Sequence, residues 1–172
     1  RIRPLNMPKD NPGKGYVTIN YNNTTITVFQ VMGRTFMNGS LDCPFEATEK
    51  LLKEVKSDIY ICDFHGEATS EKIAFGYHFD GRVNIVVGTH NHVQTTDARV
   101  LNGGTMYMTD LGMTGSLDGV IGVEPNSIIK KFMTGLPTRH NPMEKGKNQF
   151  CGLVVDINEN THKVTQYDII NV

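Results

Sequence analysis

The chain has 172 residues, of which 38% are hydrophobic and 20% charged, and its formal net charge is −1. That length suits one domain with a real core, or part of a larger one. The charge leaves no basic footprint for long nucleic acid, no stretch approaches the roughly 18–20 unbroken apolar residues of a membrane span, and the polar, Pro- and Gly-rich start does not read as a secretory signal.

After that loop-like opening, "GYVTINYNNTTITVFQVMG" reads as two strands of alternating and β-branched residues. They join at Asn22-Asn23, because asparagine tolerates the positive φ of a tight hairpin turn. "DCPFEATEKLLKEVK" follows as a helix, with Asp42 as its cap, Pro44 in the first turn, and Phe45, Leu51, Leu52 and Val55 on one apolar side. "DIYICDFH" is a short buried strand, "TSEKIAFGYHF" a shorter helix and "RVNIVVGTH" a second buried strand. "GTMYMTD" is a third strand, and "EPNSIIKKFMTG" a helix with Pro125 early and Gly135 as its stop. The tail, "CGLVVDINENTHKVTQYDIINV", carries a hairpin pattern. Alternating strands and helices flanked by hairpins predict an α/β fold, a mixed sheet or sandwich with helices packed outside. The three cysteines, Cys43, Cys62 and Cys151, form no CxxC pair. Such a sparse, odd set fits reduced thiols in a cytoplasm better than a disulfide framework, and Cys62, inside an apolar run, reads as core.

Three histidines sit just past two apolar strands: His65 after "IYICDF", and His90 and His92 after "NIVVGT". In open α/β sheets, ligand-binding groups collect beyond the carboxyl ends of the strands. If these strands are parallel neighbours, all three rings emerge at one edge. In an extended segment, residues two apart point the same way, with Cβ atoms roughly 6–7 Å apart. That gap suits rings gripping two ions roughly 3.5–4 Å apart, or one shared ion. The same pattern also fits surface or hydrogen-bonded histidines, which is how His78, His140 and His162 read. Asp63 and Glu67 flank His65 and can orient it, since a ligating imidazole donates its second nitrogen's proton to a carboxylate or carbonyl. Both also read as turn or helix-start acids. Arg34, in "MGRTF", can clamp a phosphate bidentately or stand as a surface arginine. Asp110, in "TDLGMTG", reads first as a turn former, with an orienting role beside the site as the alternative.

"PGKG", "MGRTF", "DFHGEATSEKIAFGYHFDGR", "VVGTHNHVQTTDARVL" and "GTMYMTDLGMTG" together resemble the bacterial YmdB-type metallophosphoesterases of the calcineurin-like superfamily. The resemblance covers essentially the whole chain. It implies a metallophosphoesterase-like αββα sandwich of mixed sheets flanked by helices. It also implies hydrolysis of 2′,3′-cyclic nucleotides by a hydroxide that two metal ions activate. His65 and His90 match ligands of one ion and His92 a ligand of the other; iron or manganese is expected, with zinc as a further option. The substrate is then a small cyclic nucleotide or phosphodiester, with no membrane partner, and family members self-associate into homo-oligomers. The family's G-D-x-x-G, N-G-E-N and G-N-H strings, which supply its other ligands and the proton-donating His, do not occur here. Residues 1–172 are therefore expected to be the C-terminal portion of a single domain, lacking N-terminal elements and inactive alone. Two rival readings are a zinc hydrolase with one ion on His65, His90 and His92, and a non-catalytic module that binds a nucleotide or protein.

Overall fold

The structure, a computed structural model, describes residues 2–172. Strands β1 (Tyr16–Tyr21) and β2 (Thr24–Met32) form the expected hairpin. Asn22 and Asn23 take φ of 48° and 62°, the paired positive values of a two-residue turn whose twist matches the strands. Then come α1 (Pro44–Glu54), β3 (Ile59–His65), α2 (Thr69–His78), β4 (Ile85–Thr89), β5 (Arg99–Val100) and β6 (Met106–Met108). The chain closes with β7 (Gly115–Ser116), α3 (Pro125–Thr134), β8 (Asn148–Gln149), and the hairpin of β9 (Cys151–Ile157) and β10 (Val164–Asn171). Asp42 does not cap α1. Cys43 holds the cap position without a side-chain bond, and the Asp42 amide is turned away to donate to the Asn6 carbonyl.

Six strands make one mixed sheet in the order β1-β2-β3-β4-β6-β5, with β2, β3, β4 and β6 parallel and the two edge strands antiparallel. Alternation along the strands sorts the core onto two faces. On one face Phe29, Val31, Tyr60, Cys62, Phe64, Val86 and Tyr107 meet Leu51 of α1 and Phe75 of α2. On the other, Ile85, Val87, Met106 and Met108 meet Leu153, Val155 and Tyr167 of the β9–β10 hairpin. Both faces of β4 are thus covered, which explains why Ile85, Val86 and Val87 are apolar without alternation. The result is a helix layer, a mixed sheet and a second small sheet. Helix α3 has no fully buried side chain.

Register brings the carboxyl ends of the parallel strands flush. Met32 of β2 lies opposite His65 of β3, and His65 opposite Thr89 of β4. Backbone bonds lace the loops beyond that edge: Gly33 donates to the His65 carbonyl, Gly66 to Thr89 and Leu111 to Gly88. No helix among the described residues is long and apolar enough to cross a membrane.

Candidate functional site

The edge beyond β3 and β4 carries a chain of acid, hydroxyl and imidazole groups. The Thr89 hydroxyl donates to Asp63 Oδ1 at 2.7 Å, and Thr89 Oγ1 lies 2.9 Å from His65 Nδ1. A carboxylate only accepts, so the one hydroxyl proton is committed to Asp63 and Thr89 Oγ1 must accept from His65 Nδ1–H. This fixes the tautomer and leaves the His65 Nε2 lone pair free. That lone pair faces His90 Nδ1 at 3.1 Å, with the two rings perpendicular and their centroids 4.9 Å apart. Glu67 Oε2 sits 3.0 Å from His90 Nε2 and claims the proton there by the same argument. In these tautomers neither nitrogen carries a proton across the 3.1 Å gap, so the pair calls for a shared cation.

A proton or a metal ion meets that demand. Nitrogens bound to one ion at roughly 2.0–2.1 Å and at right angles are separated by about 3.0 Å, close to the observed spacing. Burial, followed by the neighbouring His90, holds the His65 imidazole below its ordinary pKa, so the ring keeps its lone pair at neutral pH. His65 Nε2 and His90 Nδ1 thus suit a divalent ion by donor chemistry and spacing, while Glu67 holds the proton on the far nitrogen of His90.

The structure separates His92 from this pair. Its Nδ1 lies 3.1 Å from the Ile121 carbonyl, on an exposed turn. The expected extended run through residues 90–92 is not observed. β4 ends at Thr89, and His90 and His92 take φ of 116° and 65°. Between the two histidines, the Asn91 amide donates to Asp110 Oδ2 and its Oδ1 accepts from Lys72. No cluster of three or more His, Cys, Asp or Glu side chains suited to a metal forms among the described residues.

Several other expectations change. Glu67 pairs with His90 rather than His65, because β3 ends at His65 and the chain turns back over the neighbouring strand end. Asp63 reaches His65 only through the Thr89 hydroxyl, and its other oxygen accepts from Gln30. Asp110 is no plain turn former: it is fully buried, with Lys72 Nζ 2.9 Å away. Arg34 lies at the same edge, exposed, with its amide and that of Thr35 held by the Glu71 carboxylate. Thr89, Glu71, Lys72 and Asn91 escaped the sequence reading. For Lys72 a signal existed, since it shares the Lys72, Phe75, Gly76 spacing that α2 buries.

An α/β protein with its polar site at the carboxyl edge of parallel strands is what the fold and the geometry define. A family model described as YmdB-like protein matches residues 1–170, and the chain belongs to that family. It is 46% identical, over 171 residues, to the 2′,3′-cyclic-nucleotide 2′-phosphodiesterase of Bacillus subtilis (strain 168), covering 98% of this chain and 64% of that protein. The crystal structure of a hypothetical protein from Thermus thermophilus superposes with a TM-score of 0.94 at 39% identity, over 99% of this chain and 66% of that one. A novel phosphatase from Mycoplasma pneumoniae gives 0.93 at 32% identity, over 99% of this chain and 63% of that one. The chain spans under two thirds of the length of the curated relatives it matches.

Proposed function

We propose that this chain is part of a single metallophosphoesterase domain that hydrolyses 2′,3′-cyclic nucleotides with two divalent ions. The observation that carries this reading is the close approach of His65 Nε2 and His90 Nδ1, together with the likeness to the Bacillus subtilis phosphodiesterase. His65 and His90 would hold one ion, with Glu67 fixing the His90 ring from its far nitrogen, and His92 would hold the other. When bound, the ions lower the pKa of water and neutralise charge on the phosphoryl oxygens. The chain's own residues do the positioning. Asp63 and Thr89 keep the proton on His65 Nδ1, so Nε2 always faces the ion. Arg34, on a loop tied to the His65 carbonyl through Gly33, offers its guanidinium to the phosphate. Mixed imidazole and carboxylate donors suit iron, manganese or zinc, with availability deciding among them.

Calorimetric titration of Mn2+ or Zn2+ into the chain tests the proposal. We expect one weakly held ion per chain, and the loss of that binding in His90→Ala. Two adjacent cations need anionic ligands that three imidazoles do not supply, so two tightly held ions in this chain alone would overturn the assigned ligand set. A wild-type chain that takes up no divalent ion would end the metal reading.

A further inference from the structure

Among the buried polar groups outside the histidine pair, Lys72 stands apart. Lysine is almost never fully buried unless paired, yet both Lys72 and Asp110 are closed off from solvent. Lys72 Nζ donates to Asp110 Oδ2 at 2.9 Å and to Asn91 Oδ1 at 2.7 Å. The same Asp110 oxygen accepts the Asn91 amide at 3.0 Å, while Oδ1 accepts the Gly112 amide at 2.9 Å. Three elements therefore converge on Asn91: α2 through Lys72, the loop after β6 through Asp110, and the turn after β4. The Lys72 stem runs beside β4, its Cδ lying 2.9 Å from where a Cβ on Gly88 would stand.

A buried ion pair of this kind adds little stability over an apolar pair of equal volume, and its best-attested use is to select one local arrangement. Here the arrangement is unusual. Asn91 lies between two non-glycine residues of positive φ, His90 and His92, a geometry that persists only where the surroundings over-determine it. We propose that Lys72, acting through Asp110 and Asn91, is a positioning residue that sets the turn carrying His90 and His92. It turns the His90 ring toward His65 and Glu67 and leaves His92 against the Ile121 carbonyl. The benefit to metal binding rests on the function proposed above, whereas the clamp on the turn does not.

Lys72→Met alone leaves the Asp110 carboxylate buried and unpaired, so the deciding variant is Lys72→Met/Asp110→Asn, which removes the charges together and keeps an acceptor for the Asn91 amide. Three readouts are taken: amide hydrogen exchange, the ring 15N resonances of His90, and Mn2+ affinity. We expect exchange at residues 90–92 to rise about tenfold while β3 and β4 amides stay protected. The His90 ring signals, which report its contacts with His65 and Glu67, should move, and Mn2+ should bind about tenfold more weakly. Wild-type exchange together with wild-type His90 signals in the variant would overturn the proposal. If the double variant does not fold, Asn91→Ala cuts the link to Lys72 at its solvent end, and unmoved His90 signals there would overturn it equally. If the unaltered chain binds no Mn2+, the metal reading fails, while exchange and ring signals still judge the clamp.

Discussion

Thr89→Val isolates the part of the site that hydrogen bonding alone controls. Valine matches threonine in shape, so β4 keeps its β-branched residue and its register opposite His65. What disappears is the hydroxyl between His65 Nδ1 and Asp63 Oδ1, with bonds of 2.9 and 2.7 Å. Without it, nothing in that chain holds the proton on Nδ1, and the tautomer that blocks Nε2 with hydrogen becomes populated. Losing a hydrogen bond backed by a carboxylate removes about 1.5–3 kcal/mol, of which the tautomer preference is the share that metal binding registers. A bias of about 1.4 kcal/mol corresponds to tenfold in affinity, in line with the 10–100-fold typical when a partner behind a ligating histidine is removed. Isothermal titration of Mn2+ or Zn2+ into wild type, Thr89→Val and Thr89→Ser makes the measurement, with the Ser variant keeping the hydroxyl. We expect Val to weaken binding by about tenfold or more and Ser to stay near wild type. Equal affinity in the wild-type and Val proteins would refute the tautomer argument, whatever the Ser protein does.

Two further outcomes follow from packing and charge. A Cβ on Gly88 would collide with the Thr109 carbonyl oxygen, which is backbone and cannot rotate away. Gly88→Ala is therefore expected to lower stability by about 3 kcal/mol or more, at or beyond the usual range for overpacking, and urea unfolding within about 1 kcal/mol of wild type (about 0.6 M in midpoint) would contradict it. Asp97 contributes to the acid limb of stability. Burial works to raise its pKa, but hydrogen bonds from Thr109 and Thr95 outweigh it and hold the carboxyl below its ordinary 3.8. A depressed carboxylate contributes stability that is complete above the unfolded value and is lost as pH falls through the folded one. The stability gap between wild type and Asp97→Asn should accordingly be constant near neutrality and close below about pH 3.8. A gap unchanged down to about pH 2 would show that Asp97 does not act through its charge.

Local rules written into short stretches determined the elements and the edge at which the site lies. Paired asparagines between β-branched runs specify a hairpin whatever surrounds them, and Asn22 and Asn23 do so here. Pro125 at the start and Gly135 at the end bound α3, the glycine taking the positive φ that closes a helix. Apolar runs ending in histidine placed His65 and the His90 region beyond parallel strands, because parallel strands share one carboxyl edge. Tertiary structure decided which groups meet there. Whether Glu67 serves His65 or His90, and whether Asp110 is a turn former or the partner of Lys72, depends on loops from α2, β4 and β6 arriving at one point from positions 19 to 38 residues apart. No periodicity encodes that convergence: side-chain spacing reports which way a residue faces, while its partner is set by strand order and by where each loop re-enters the sheet.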